Sequence, residues 1–232
     1  MTPSAAIEPL SVIVLAGGAS TRMGQNKLWL TLDGQPLIER VLRRIRPISD
    51  DIIISANEPA PYARSARTLG ITAQTVTDHY AGAGPLAGLH AGLLAARHDL
   101  TLLIAGDMPF ISIDLVRTLA GLAQGYQAVI PMAPVRHVAK RRYPQPERGA
   151  LVEQTLHALY RRSCLPAIAR RLDAGEHQML SFYADVRTRY VAPETMQAVD
   201  PGLLSFFNVN TPDDWQEAQR LAHAAGQKGT QS

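Results

Sequence analysis

Disulfides, membrane spans and a strong net charge are all missing from this sequence. Its 232 residues include one cysteine, Cys164, which cannot close an internal disulfide, so a secreted scaffold stapled by cystines is excluded. The flanking residues of Cys164 are apolar (Cys-Leu-Pro-Ala-Ile) and predict a core position. The longest apolar runs, such as Leu10 to Ala16 and Leu100 to Ala105, fall short of the about 18 residues a membrane helix needs. No basic lead precedes the first run and Glu8 stands before it, so a signal peptide is not expected and a cytoplasmic location is. Lys and Arg outnumber Asp and Glu by only 23 to 20, a net charge of +3 despite a pI near 9.2. So weak a field argues against a general nucleic-acid binder. Aromatics are scarce at 6%, yet 46% of residues are hydrophobic, enough for a substantial core and too many for a disordered chain.

What is present alternates between two patterns. Short aliphatic runs at 11–16, 51–55, 101–105 and 128–131 suit strands covered on both faces. Between them lie segments with helical spacing. Pro36 opens one, with Leu37, Ile38, Val41, Leu42 and Ile45 as its apolar stripe and Arg40, Arg43, Arg44 and Arg46 on a solvated face. Others are expected from Pro85 to about Arg97, over 113–123, around 151–160 and 165–172, and from about Asp213 to Ala225, with Thr211 or Asp213 as cap. A last strand is expected over 204–209. The alternation predicts an α/β fold with a mainly parallel sheet and helices on both faces. A single domain over 10–225 is expected, with flexible termini at 1–9 and 226–232 and an exposed basic loop over 134–149. From Arg136 to Arg148 that loop carries five basic side chains and one acid, a local +4 that exceeds the charge of the whole chain.

Chemistry is concentrated in Leu15 to Lys27, LAGGASTRMGQNK. A buried strand ending at Leu15-Ala16-Gly17-Gly18 lets backbone N–H groups turn toward phosphate oxygens without a β-carbon in the way. Arg22 and Lys27 add positive charge close by. The competing reading is an ordinary strand-to-helix turn with two solvated cations. The segment is not a Walker loop, since Gln25 follows Gly24 where Lys is required, and it lacks the Gly-x-Gly-x-x-Gly dinucleotide fingerprint. No Gly-x-Ser-x-Gly elbow or His-Glu-x-x-His helix supports a hydrolase, and the seven histidines are scattered. Asp107 follows the strand at 101–105, so its carboxylate is expected at the carboxyl end of the sheet, where open α/β folds bind ligands. A turn or helix-capping aspartate before Pro109 is the alternative.

These residues resemble the signature of the molybdenum cofactor guanylyltransferases, small nucleotidyltransferases. The resemblance continues in order at Gly84-Pro85-Leu86-Ala87-Gly88, at Gly106-Asp107-Met108-Pro109 and at Asn208-Val209-Asn210-Thr211-Pro212. Gln154 to Pro166 is also similar, with Thr155 where a proline is usual. Together the matches span about residues 11 to 221. The resemblance implies a single Rossmann-like nucleotidyltransferase domain that transfers GMP from GTP to the phosphate of molybdopterin and releases pyrophosphate.

It further implies Lys27 and Arg22 on the triphosphate, Asp107 as the ligand of Mg²⁺ (or Mn²⁺), Leu15, Ala16, Gly17 and Gly18 around the nucleotide, and Gly84 to Gly88 against the base. Asp78 and Asn57 are implied on the nucleotide, although Asp78 alone would read as a turn residue and Ser55 competes with Asn57 for the register. Asn208 and Asn210 alternate along the expected last strand, and Asn210 is implied on the site side. The implied partners are GTP, molybdopterin and, transiently, carrier or acceptor enzymes of the cofactor, with no nucleic acid and no membrane. A cytidylyltransferase of the same fold is the near alternative, with Leu-Ala-Ala-Gly usual where this chain has Leu-Ala-Gly-Gly. A non-catalytic nucleotide binder is the more distant one. For the basic loop two readings stand: attraction of the anionic acceptor, or a solvated loop with no ligand.

Overall fold

In the computed structural model the described residues are 8–17, 26–80, 82–134 and 150–229. The chain enters with β1 (Leu10–Leu15), forms a small antiparallel pair, β2 (Thr31–Leu32) and β3 (Gln35–Pro36), and continues through helix α1 (Leu37–Ile45) into β4 (Asp51–Ser55). Helix α2 (Pro59–Thr68) leads to β5 (Ala73–Val76), α3 (Gly84–Ala95) to β6 (Leu100–Ala105), and α4 (Ile113–Gly121) to β7 (Ala128–Pro134). Then come β8 (Leu151–Glu153), β9 (His157–Arg161), α5 (Leu165–Asp173), β10 (Thr188–Val191), α6 (Pro193–Gln197) and α7 (Pro212–Gly229).

The main sheet has the order β10-β7-β9-β6-β1-β4-β5, with β8 paired to β7. β1 is parallel to β4 and β6, β4 to β5 and β7 to β10, whereas β9 runs antiparallel between β6 and β7. Successive side chains on a strand point to opposite faces. Val12 and Val14 therefore pack with α1, α2 and α4, through Val41, Ala66 and Leu115. Ile13, Ile53 and Leu103 pack with α3 and α5 on the other face, through Leu89 and Ile168. Full burial of aliphatic side chains of this size contributes about 1.5–3 kcal/mol each. A third cluster, with Leu32, Leu37, Phe207, Val209, Ala218 and Ala222, ties α7 to β2 and α1. That cluster carries the C-terminal segment back to the carboxyl ends of the central strands.

The opposite edge is fastened by a buried polar network. Ser11 Oγ donates to Asp51 Oδ2 at 2.5 Å, and the Arg97 backbone N–H donates to the same oxygen at 2.8 Å. Arg97 Nε and Gln74 Nε2 donate to Asp51 Oδ1 at 3.1 and 3.2 Å. Burial pushes the Asp51 carboxyl upward, but these donors outweigh it and hold it below the ordinary value.

Three sequence expectations are corrected. Residues 151–160 form β8 and β9, not a helix. His157 to Tyr160 are buried on both faces of the sheet, and a run covered on both sides shows no alternation to betray a strand. Residues 204–209 form a 3-10 turn (Leu204–Phe206) and an extended segment outside the sheet, not a strand. Asp200 accepts hydrogen bonds from the backbone N–H of Leu204 and Ser205 at 3.1 and 3.0 Å, and this local pairing favours a turn. Finally, Pro134 belongs to β7, where it lies opposite Leu151, and not to the basic loop. Helix α2 had no expectation at all, and α4 stops at Gly121, two residues before the expected end.

Candidate active site at the carboxyl edge of the sheet

The carboxyl ends of β1, β4, β5 and β6 are extended by single backbone bonds that lock the loops in place. Ala16 N–H donates to Ser55 O at 2.8 Å, Ala56 N–H to Val76 O at 3.0 Å and Gly106 N–H to Leu15 O at 2.9 Å. The crossing at Gly106 is tight: a Cβ there would lie 3.1 Å from Leu15 O and 3.3 Å from both methyls of Leu28. Glycine at this point lets the chain turn directly out of β6 and leaves Asp107 facing the edge.

Asp107 meets Lys27 there. The Lys27 ammonium pairs with Asp107 Oδ2 and donates to Asn210 Oδ1 at 2.8 Å. Three segments separated by 80 and 183 positions thus converge on one nitrogen. Lys27 begins a 3-10 turn (Lys27–Trp29) capped by Asn26, whose Oδ1 accepts from Leu28 N–H at 3.1 Å. Asn210 is held from below: Val209 N–H donates to Asp107 O at 3.1 Å, and Asn210 N–H donates to Asp214 Oδ2 at 3.0 Å. Asp214 also accepts from Thr211 N–H, while its own N–H donates to Thr211 Oγ1 at 3.1 Å. This reciprocal capping starts α7 and sets the direction in which Asn210 leaves it. The expected strand alternation of Asn208 and Asn210 does not exist; the turn sends Asn210 to Lys27 and leaves Asn208 Oδ1 buried.

Asp107 Oδ1 is buried and has no hydrogen-bond partner among the described residues. A buried carboxylate oxygen of this kind has acceptor capacity that the described residues leave unused. No cluster of three or more His, Cys, Asp or Glu suited to a metal occurs among the described residues. One carboxylate completed by ligand phosphates and water fits a hard cation such as Mg²⁺, and it does not fit zinc.

Gly17 is exposed, and a Cβ built on it would lie 3.9 Å from Asn57 Oδ1, so these two expected residues are neighbours. Asp78, half-buried, stands two residues beyond the end of β5 on the same edge. The segment 84–88 divides in function. Gly84, at φ +66°, and Pro85 are exposed at the first turn of α3, whose leading N–H groups have no partners within the helix. Leu86 and Ala87 are fully buried and pack in the core behind that turn. Gly88 is also a packing residue: a Cβ would lie 2.6 Å from Leu15 Cδ2 and 3.1 Å from Ser55 Oγ. Leu15 itself is partly buried beneath it. Gly18, Arg22 and the cluster 136–148 lie outside the described residues. Sequence reasoning missed Asn26 and Tyr62; Asn26 next to Lys27 is a 3-10 cap signal, whereas a lone Tyr62 in an unforeseen helix carried no signal.

A cavity of about 480 Å³ lies at the opposite edge beside Glu8, Asp99, Arg161 and Arg187. It contains none of the expected residues, and its Arg161 is already engaged by Asp99 at 2.7 Å and Glu8 at 3.1 Å. The charged, tightly held constellation at the carboxyl edge is the better candidate.

The model of the MobA-like NTP transferase domain matches residues 12–188 of this chain. A molybdenum cofactor guanylyltransferase of Burkholderia cenocepacia is 36% identical over 224 residues, covering 95% of this chain and 98% of the relative. One from Desulfosudis oleivorans is 33% identical over 219 residues, covering 94% and 98%. The crystal structure of molybdopterin-guanine dinucleotide biosynthesis protein A from Archaeoglobus fulgidus superposes with a TM-score of 0.71 at 28% identity, covering 92% and 99%. A 2-C-methyl-D-erythritol 4-phosphate cytidylyltransferase from Thermus thermophilus shares the fold, with a TM-score of 0.63 at 23% identity and coverage of 93% and 99%.

Proposed function

The chain belongs to the MobA-like NTP transferase family, and from that premise we infer that it transfers GMP from GTP to the phosphate of molybdopterin, releasing pyrophosphate. The observation that carries this reading at the level of residues is the convergence of Lys27, Asp107 and Asn210 at the carboxyl edge of the central strands. A phosphate oxygen of the acceptor attacks the α-phosphorus of GTP; that P–O bond forms as the bond to the β-phosphate oxygen breaks, and pyrophosphate leaves. The acceptor phosphate is already anionic at neutral pH, so no general base is required, and positioning with charge neutralisation lowers the barrier.

In this reading the Lys27 ammonium exchanges Asp107 for triphosphate oxygens and neutralises the charge that accumulates on them. Asn210, which cannot act as acid or base, holds the Lys27 head in position. Gly17, Asn57 and Asp78 line the nucleotide side, where carboxylate and amide groups can accept from ribose hydroxyls or from guanine N–H groups. Asp107 would hold Mg²⁺ through the oxygen that has no partner among the described residues, and the ion would supply further positive charge to the phosphates. No helix among the described residues is long and apolar enough to cross a membrane; a cytoplasmic site of action is part of the proposal.

The test is incubation of the protein with Mg²⁺, molybdopterin and each of GTP, CTP, ATP and UTP. Pyrophosphate release with GTP is expected. Turnover with CTP alone would overturn the base assignment in favour of a cytidylyltransferase.

A further inference from the structure

Tyr62 lies on α2, outside every motif that the sequence offers, and is 4% exposed. Its hydroxyl donates to Ala16 O at 2.9 Å and accepts from Asn26 Nδ2 at 2.9 Å. The directions are forced. A carbonyl only accepts, so the single phenolic proton goes to Ala16, and the hydroxyl oxygen must be an acceptor for Asn26. Asn26 Oδ1 in turn faces the Leu28 N–H, which only donates, so the amide cannot be turned the other way. The ring is held as firmly as the hydroxyl, by stacking on Trp29 with centroids 5.3 Å apart and planes inclined by 18°. Burial raises the phenol above its ordinary pKa, so the proton stays in place at neutral pH.

Ala16 immediately precedes Gly17 on the nucleotide side, and Asn26 immediately precedes Lys27 on the phosphate side. One oxygen atom thus ties together two stretches of backbone ten residues apart in sequence. Among the described residues no other single side chain bonds to both stretches: Ala16 N–H is engaged by Ser55 O, and Lys27 by Asp107 and Asn210. We infer that Tyr62 is a positioning residue for the nucleotide, its hydroxyl setting the distance between the Ala16–Gly17 backbone and the Lys27 ammonium so that both meet one triphosphate. It touches no substrate. It acts by keeping the two halves of the site from relaxing independently, a form of preorganisation that is realised only when a ligand bridges both. The inference rests on the guanylyltransferase reading for the identity of the nucleotide, not for the clamp.

Tyr62→Phe keeps the ring, its burial and its stacking and removes only the shared oxygen. Asn26→Ala breaks the same clamp from the other side and serves if the first variant folds poorly. The full chain is measured for its GTP Kd by calorimetry, for the KM of GTP and of molybdopterin, and for its melting temperature. Each variant is expected to raise the GTP Kd and KM about tenfold while the molybdopterin KM stays within about twofold, because only one substrate spans the clamp. The double variant is expected to match Asn26→Ala, which also loses the cap on Leu28 N–H, since the added Tyr62→Phe change has no clamp left to break. Wild-type GTP affinity in Tyr62→Phe overturns the inference. So does a loss of active protein that follows the melting temperature at unchanged KM, which marks a purely structural role. If the wild type binds CTP in place of GTP, the base assignment falls and the same comparison with CTP decides on Tyr62. Binding of neither nucleotide overturns both.

Discussion

Lys27 reaches Asp107 and Asn210 from a 3-10 turn whose cap, Asn26, sits one residue away. Its side chain is 18% exposed and that of Asp107 is 12% exposed, so each charge depends on the other for solvation. Lys27→Ala removes the cation and leaves a mostly buried carboxylate alone; kcat/KM for GTP is expected to fall about 10²- to 10³-fold, read by steady-state pyrophosphate release. Asp107→Asn is expected to lower turnover by a similar factor and to weaken the dependence on Mg²⁺. Unchanged Mg²⁺ titration in that variant would remove Asp107 from the metal. Two glycines make a contrasting pair. Gly88→Ala drives a methyl group into Leu15 and is expected to destabilise the fold by about 1–3 kcal/mol, measured by urea unfolding. Gly17→Ala places its methyl in ordinary contact, 3.7 Å from Ala56 Cα, and is expected to change stability by less than about 0.5 kcal/mol. The packing around residue 17 therefore makes no demand for glycine.

At the scale of elements, α7 shows how a cap can serve a site. Thr211 and Asp214 satisfy each other's backbone, and Asp214 also holds Asn210 N–H. Thr211→Ala is expected to lower stability by about 1 kcal/mol, a fall in melting temperature of about 2–4 °C followed by circular dichroism. Thr211 was legible as a cap because the motif Thr-x-x-Asp before a helical pattern has a local cause. Helix α2 was not legible: only Tyr62, Ser65 and Ala66 are buried along it, too few apolar positions to mark a face. Strand β9 was misread for the opposite reason, since burial on both faces erased its period. The segment 204–209 looked like a strand because it is apolar, and its burial against α7 and α1 accounts for that without any sheet pairing.

For the whole molecule, acid sensitivity follows from two groups on different strands of the main sheet. His157, fully buried between the sheet and Phe206, has its pKa lowered to about 4, chiefly by desolvation and against the pull of Asp200. Between an ordinary value near 6.5 and about 4, the unfolded chain binds a proton that the folded chain refuses. Stability is therefore complete above pH 6.5 and falls by about 3 kcal/mol as the pH drops to 4. His157→Leu is expected to flatten that slope by one proton in denaturant titrations at pH 7, 5.5 and 4.5. Asp51 acts lower: its carboxyl is depressed in the folded state, so its contribution is present above the ordinary carboxyl range and is lost as the pH falls through the folded value.

By itself the sequence determined the layered α/β plan, because aliphatic runs bounded by glycine, proline and helical stripes have local causes that survive in any context. It also determined the family and singled out Lys27, Asp107 and Asn210 as candidates, since their motifs are contiguous. Tertiary structure alone decided that Asn210 and not Asn208 meets Lys27, that Leu86 and Ala87 are buried and Gly88 lies against Leu15, and that Asp107 keeps one oxygen without a partner among the described residues. It alone made Tyr62 the link between Ala16 and Asn26. The physical reason is the same throughout. Whether a polar atom is paired and which way a side chain faces are set by neighbours up to 183 positions away, and no local pattern encodes them.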